Sequence, residues 1–523
     1  MPFTARTAIF ERSLMRGPRQ FAAACTVLVV VVVAFSTWIT LTAPSGHSAI
    51  GSPGTTPAPS PTPTPTATPA AAPASAAGAS LRPPRIEIRS SKPGQAPGLM
   101  FVAPKKVFGH TLPPGAQHGL EIVDGKGRVR YFKPNGGHDV AQDFEVQTYE
   151  GKPVLTYWYG RLVNGSGHGY GVIMDTHYRR IATVHTTGGL EADFHEFKLT
   201  PQGTALMLAY HDRTYRGRQL TEGVLQEIDV KTGRVVTDWH SLPDVPVSAT
   251  YEPQGTRSAA HFEYFHINAA DLDGDGNILV SARHTWAIYK IQRHTGKLLW
   301  TLGGKLSDFE LGPGVQTAWQ HDVRSLGANE LSIFDNGFGD HGAPAPRDYS
   351  RVVEIKLDPK AKTAKLVRQY KHPDGVGGGT QGNGQKLPNG DMFVGWGSAG
   401  VFSEFSPGGR LLFDARVPKG EDTYRAFKFV WHGTPAAKPA LSAVRDGARI
   451  RAHMSWNGST AVARWRLRAG RSRDRLRTVG QSRWKDLDTA LTVARRGARY
   501  VQAEALDAHG RRLAASAVRR LAG

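Results

Sequence analysis

Residues 195–210 (HEFKLTPQGTALMLAY), 266–284 (HINAADLDGDGNILVSARH) and 321–336 (HDVRSLGANELSIFDN) repeat one pattern. Each opens on a histidine, passes through an apolar/polar alternation and a glycine turn, and ends in a strongly apolar strand. The turn glycine follows 8 residues after His195 (Gly203), 8 after His266 (Gly274) and 6 after His321 (Gly327). Equivalent positions of a radial repeat face one axis, so three imidazoles are expected to converge there. Core packing seldom calls for such a gathering, whereas chemistry near neutral pH does.

Working outward, short β-rich runs alternate with Gly/Asp/Asn/Pro turns and helical periodicity is almost absent. Five runs read as inner strands: VLTYWYG, ALMLAY, ILVSARH, LSIFDNG and MFVGWG. Each precedes an outer hairpin, such as GVIMDTHYRRIATVH, QEIDVKTGRVVTDW or YKIQRHTGKLLWTL. The spacing, about 40–70 residues, is that of propeller blades with insertions. The hairpin from His118 lacks an inner unit and the strand from Tyr424 lacks a hairpin; joining them supplies one more blade and closes the ring, which removes exposed edges. The expectation is an all-β, six-bladed β-propeller over residues 85–435. After Pro435 the register changes, and residues 436–523, Arg-rich, read as a fibronectin-III-like β-sandwich.

The N-terminal part reads differently. Residues 1–20 carry Arg6, Arg12, Arg16 and Arg19 against one acid, Glu11, and residues 21–43 are uncharged. At ~20 residues that run is long enough for a transmembrane helix, and its basic flank predicts a cytoplasmic tail. We expect a retained signal anchor, single-pass in the cell membrane, with the rest of the chain outside the cytoplasm. The single cysteine, Cys25, lies in this span, so no intramolecular disulfide and no thiolate metal site can form. Residues 44–84, rich in proline, alanine and threonine, read as an extended linker.

The net charge of +21 invites a nucleic-acid reading. Much of the excess sits in the N-terminal flank and the Arg-rich end, with no aromatic-basic platform, so no nucleic-acid partner is expected.

Within the repeat, Arg283 at the end of ILVSARH offers a fork of donors suited to a sulfate or phosphate oxygen pair. Asp143 and the Gln381–Asn383 stretch fall where the first and last paired blades would carry their histidine. Three imidazoles can hold zinc. The absence of an evident carboxylate pair and the nearby arginine argue against a metal, and none is expected. DLDGDGN (271–277) imitates the start of a calcium loop, but its twelfth position is Ala282, so it reads as a turn. The runs GVGGGTQGNG and FDNGFGDHG follow no strand-to-helix transition and make poor phosphate loops.

ADFHEFKLTPQGTAL, YFHINAADLDGDGNILVSARHTWAIYKI, GKLLWTLGGKLSDF, WQHDVR, FDNG, LPNGDMFVGWG and YRAFKF together resemble the bacterial arylsulfate sulfotransferases that use no nucleotide sulfate donor. The resemblance implies a six-bladed propeller with its active site at the central channel. It also implies ping-pong transfer of a sulfuryl group from an aryl sulfate to a phenolic acceptor through a sulfohistidine, with no cofactor. By motif, His321 matches the nucleophile, His195 and His266 the supporting histidines, and Arg283 the sulfate-binding arginine. Where the family often has H-x-N-S, this chain has Ala269 in place of the serine. The rival readings are a catalytically silent propeller that binds cell-wall glycans or other anionic partners, and a metal-dependent hydrolase.

Overall fold

The computed structural model describes residues 81–522, apart from 108–109, 111–114, 164, 254–261 and 339–343. The basic tail, the expected membrane span 21–43 and nearly all of the linker therefore lie outside the described residues. Among the described residues no helix is long and apolar enough to cross a membrane.

Among the described residues, six sheets, antiparallel apart from a short parallel edge strand on the second (Phe262–Glu263) and on the fourth (Glu310–Leu311), succeed one another along the chain. The first runs Val140–Tyr149, Lys152–Val163, Ser166–Met174, Arg180–Val184, and the second Phe197–Leu199, Thr204–Tyr215, Arg218–Asp229, Val235–His240. The third is Ile267–Leu272, Ile278–Ala282, Ala287–Ile291, Leu298–Gly303, and the fourth His321–Gly327, Glu330–Asp335, Arg351–Asp358, Thr363–Tyr370. The fifth contains Asn383–Lys386, Met392–Gly395, Val401–Phe405 and Leu411–Arg416, edged by Glu87–Ser91. The sixth pairs Ala426–Phe429 with Leu99–Val102, Gly119–Val123 and Val129–Pro134, so both ends of this region share one sheet.

Alternating strands are apolar on both faces because each sheet is covered by a neighbour on either side. A separate apolar cluster fills each gap. Phe144 and Leu155 meet Phe101 and Ile122; Trp158 and Ile173 meet Phe197 and Met207; Leu206 and Leu225 meet Ile267 and Val280. Leu279 and Ile288 meet Ile333 and Val353; Phe334 and Val352 meet Met392 and Val394; Phe393 and Phe402 meet Val102 and Val123. The last gap leads back to the sheet of the first, so the order is cyclic. Burial of this kind contributes roughly 1.5–3 kcal/mol per large side chain and needs no disulfide.

Three details differ from the sequence reading. The runs read as inner strands, ILVSARH among them, form the second strand of each sheet. The innermost strand is the segment that begins at or just after the histidine. The turn glycine of the second unit is Gly276 (φ +82°), not Gly274; it matches Gly203 (φ +78°) and Gly327 (φ +80°), all left-handed positions that favour glycine. Glu87–Ser91 and Leu99–Val102, unforeseen, extend the fifth sheet and complete the sixth.

DLDGDGN is a turn. Lys290 Nζ lies 2.5 Å from Asp273 Oδ2 and 2.8 Å from Asp275 Oδ2, which places an ammonium between the two carboxylates.

Residues beyond Ala440 build two further sheets around their own core of Ile450, Trp465, Leu467 and Val501. They dock on the sixth sheet. Asn457 accepts from Phe132 N (2.9 Å) and donates to Phe132 O (2.7 Å), and the Arg130 guanidinium lies 3.4 Å from the Trp484 ring centroid.

Candidate active site

The three repeat histidines stand at the entrance of their innermost strands: His195 two residues before Phe197, His266 one before Ile267, His321 on the first strand residue. Ring nitrogens from the three lie within 4.8 Å of one another. Ring centroids are 5.1 Å apart for His195–His266 and 6.3 Å for His195–His321. All three side chains are buried.

Each ring is held by its Nδ1. His195 Nδ1 donates to Asp193 Oδ1, whose Oδ2 takes Gly167 N–H at 2.5 Å. His266 Nδ1 donates to Glu263 Oε1 at 2.6 Å. His321 Nδ1 meets Asn336 Oδ1 at 2.8 Å. The amide orientation of Asn336 is fixed because its Nδ2 donates to two carbonyls, Gly378 O (2.6 Å) and Gln381 O (3.0 Å). Its Oδ1 must therefore accept, so His321 carries its proton on Nδ1. Nε2 of His321 then holds the lone pair, and it accepts Gln381 N–H at 3.3 Å. Burial pulls His321 well below the usual imidazole range, and the charges of Arg283 and His195 push the same way against the opposing Asn336 bond. The ring is neutral, with its lone pair on Nε2.

Arg283 follows Ala282, the last residue of its strand, and is buried. It donates to His284 Nε2 (3.2 Å) and Gly379 O (3.3 Å), and its Cζ lies 5.0 Å from the Trp319 ring centroid. His284 Nδ1 donates to Glu263 O at 2.7 Å, which leaves Nε2 as the acceptor that Arg283 needs.

All four residues proposed from the sequence thus meet in one place. One expectation is overturned: the cluster does have carboxylates, Asp193 and Glu263. They bond the outer nitrogens of two rings and so orient the imidazoles. An acid two or three residues before the histidine (DFH, EYFH) was the signal. The run GVGGGTQGNG, dismissed as a phosphate loop, supplies backbone groups from Gly378, Gly379 and Gln381. Gly378 has no room for a side chain, since a Cβ there would lie 2.2 Å from Trp396 O. Asn336 and His284 were also missed as site residues, although FDNG and SARH contain them, whereas WQHDVR does place an aromatic, Trp319, close to His321 and against Arg283. Ala269 packs in the apolar gap between the third and fourth sheets, so the serine it replaces would not face the histidines.

Directly beneath lies a layer of charge. Arg425 reaches Asp143 (2.9 Å), Glu196 (3.1 Å) and Asp322 (3.3 Å), and Arg324 reaches Asp322 (2.6 Å) and Glu196 (2.9 Å). Tyr424 OH, from the same YRAFKF motif, donates to His195 O at 3.0 Å. Burial raises Asp143, while Arg324 and Arg425 outweigh burial at Glu196 and lower it.

A family model described as arylsulfotransferase (ASST) matches residues 145–417, just over half of the chain. No curated protein matches it. Among solved structures the chain is similar to a Bacteroides caccae protein of unknown function, at 14% identity and a TM-score of 0.39, covering 64% of this chain and 99% of that one. It is also similar to virginiamycin B lyase from Staphylococcus aureus, at 12% identity and 0.29, covering 61% and 87%. A third is regucalcin from Agrobacterium tumefaciens, at 10% identity and 0.31, covering 61% and 83%.

Proposed function

The chain belongs to the arylsulfotransferase family, and from that premise we propose that it moves a sulfuryl group from an aryl sulfate ester to a phenolic acceptor by a ping-pong route through a sulfohistidine. The observation that carries the reading is the neutral His321, its Nε2 lone pair set among His195, His266 and the Arg283 guanidinium. In the first half-reaction Nε2 of His321 attacks sulfur in line, the S–O bond to the aryl group breaks, and a protonated His195 or His266 gives its proton to the departing phenolate. Arg283 balances charge on the sulfuryl oxygens. In the second half the same imidazole takes the proton of the incoming phenol, the phenoxide attacks sulfur, and the N–S bond breaks. Asp193 and Glu263 hold the acid–base rings in orientation throughout. An aryl leaving group suits this site because phenolate departs far more readily than alkoxide.

On this reading the ring is a six-bladed β-propeller and the C-terminal sheets a fibronectin-III-like sandwich. Residues 21–43 tether the enzyme to the cell membrane with the ring outside the cytoplasm. A covalent intermediate suits that location, where no nucleotide donor need diffuse.

The test is incubation of the purified chain and of His321→Asn with a chromogenic aryl sulfate, followed by mass spectrometry of the His321 peptide. The reading expects phenol release and an added SO₃ in the wild type, and neither in the variant. Turnover that survives in His321→Asn overturns the nucleophile, and a wild type with no release and no adduct favours a binding protein.

A further inference from the structure

Away from the site just described, the second sheet carries another cluster of ligating side chains. Its strands Thr204–Tyr215, Arg218–Asp229 and Val235–His240 pair in a register that sets His211 opposite Glu222 and His240 opposite Val224. Residues two apart along a strand share a face. His211, Glu222 and His240 therefore lie on one face of the sheet, together with Asp238 opposite Gln226.

We propose that His211, Glu222 and His240 form a binding site for a divalent transition-metal ion of the class that zinc fills. Nδ1 of His211 lies 3.3 Å, and Nδ1 of His240 2.9 Å, from the same carboxylate oxygen, Glu222 Oε1. One atom from each residue lies within 4.8 Å of the other two. Ligand atoms at about 2.0–2.2 Å from a tetrahedral zinc ion are themselves about 3.3 Å apart, so the two distances to Glu222 need little adjustment, and the histidine nitrogens need only draw together from within 4.8 Å. Two imidazoles and one carboxylate are a donor set that suits borderline cations.

Three observations add to the spacing. Nδ1 of His211 is buried and makes no hydrogen bond, although it faces Glu222. His240 Nε2 lies 3.6 Å from Asp238 Oδ1, the outer carboxylate that a metal-bound imidazole commonly has. Glu222 is buried at 1% exposure, while the side chains of His211 and His240 are 38% and 28% exposed, so solvent can complete the coordination. Arg213, with Nη1 3.4 Å from Glu222 Oε1, is half-exposed and can swing into water when a cation enters.

The metal ties three strands together one residue from the pairing of Thr221 with Glu263, and Glu263 orients His266. Its role is structural: it stiffens the sheet edge that carries this support.

The experiment strips the full chain with chelator, dialyses it against zinc or cobalt(II), desalts it and counts bound metal by elemental analysis. The expected result is one equivalent in the wild type, visible cobalt d–d bands, and a zinc-dependent rise of a few degrees in Tm. His211→Ala and His240→Ala, at partly exposed positions, are expected to lose metal, bands and Tm response with an unchanged circular dichroism spectrum. His321→Asn is expected to retain all three. A wild type that holds no metal after desalting and shows no cobalt bands overturns the proposal, even if a variant fails to fold. So does an equivalent that survives in His240→Ala but disappears in His321→Asn, because that metal belongs to the other histidine cluster.

Discussion

His195 and Glu196 are neighbours in the chain, as are His321 and Asp322, yet each pair is split between two layers of the site. The upper layer holds imidazoles fixed from behind by Asp193, Glu263 and Asn336, with ring nitrogens of the three within 4.8 Å of one another. The lower layer sets two arginines against three carboxylates, which answer one another's charge. In a regular strand, consecutive side chains point to opposite faces. Here the inner strands break register at Gln142/Glu145 and His321/Arg324, with Asp143 and Asp322 in left-handed backbone (φ 55° and 53°). These bulges turn consecutive residues toward the axis, so one strand feeds both layers. Strain of this kind costs about 1–3 kcal/mol per residue and persists where the surroundings over-determine it. The imidazole layer above rests on an ionic layer below.

Breaking each layer separately tests that division. Arg425→Met leaves Asp143, Glu196 and Asp322 with one cation fewer in a fully buried place. Removing one partner of such a network typically costs about 3–5 kcal/mol, and a fall of that size is expected in denaturant unfolding. Arg283→Met removes the guanidinium beside His321. It is expected to lower kcat/KM for an aryl sulfate by about 10²–10³-fold, the range for losing one charge-stabilising donor, with little change in unfolding. Should Arg425→Met be silent in unfolding, or Arg283→Met lose stability and keep its rate, the layers do not divide the work as argued.

The upper layer was legible in the sequence and the lower one largely was not. His195, His266 and His321 recur with a turn glycine, and recurrence in a closed repeat is itself a geometric statement. Arg283 followed from its fork of donors at the end of ILVSARH and from the motif it matches, and it falls just beyond the strand paired with the one His266 precedes; Arg283 N donates to His266 O at 2.9 Å. Arg425 gave no such sign. Two of its partners, Glu196 and Asp143, lie 229 and 282 residues away, and no local pattern encodes an ion pair closed across a ring. The glycine run 375–384 misled for a related reason. It works through backbone groups, which carry no residue identity, and only the missing Cβ of Gly378 lets it approach Trp396.

Asn336→Ala sharpens the contrast inside the upper layer. It removes the acceptor that keeps the His321 proton on Nδ1, so a share of the rings carries it on Nε2 and cannot attack. A loss of about 10–100-fold in the rate of sulfuryl-enzyme formation is expected, the range for supporting bonds of this kind. The Asn336 bond opposes the depression of His321, so its removal lowers that group further. Any acid limb of the rate profile that reports His321 is then expected to move to lower pH, a shift that mere loosening of the loop would not produce.

The smallest effect is expected below the ionic layer. Glu145, below Asp143 on the same inner strand, is raised to about 7, chiefly by burial, against the pull of Lys198 at 3.8 Å. A carboxyl raised in the folded state stabilises it only while protonated. Its contribution is complete below the unfolded value near 4.5 and is lost as pH rises through about 7. Glu145→Gln keeps the shape of the protonated form and cannot ionise, so its stability gain over the wild type is expected to be near zero at pH 4.5 and about 1–3 kcal/mol at pH 8. Denaturant midpoints at the two pH values measure it. A gain at both, or a loss at pH 8, means that the carboxylate of Glu145 is held by Lys198 and belongs with the ionic floor above it. The predicted sign instead makes it the point where that floor gives way to a group the fold prefers uncharged. Turnover at saturating substrate is expected to stay unchanged, because two further inner-strand residues separate Glu145 from the level of the histidines.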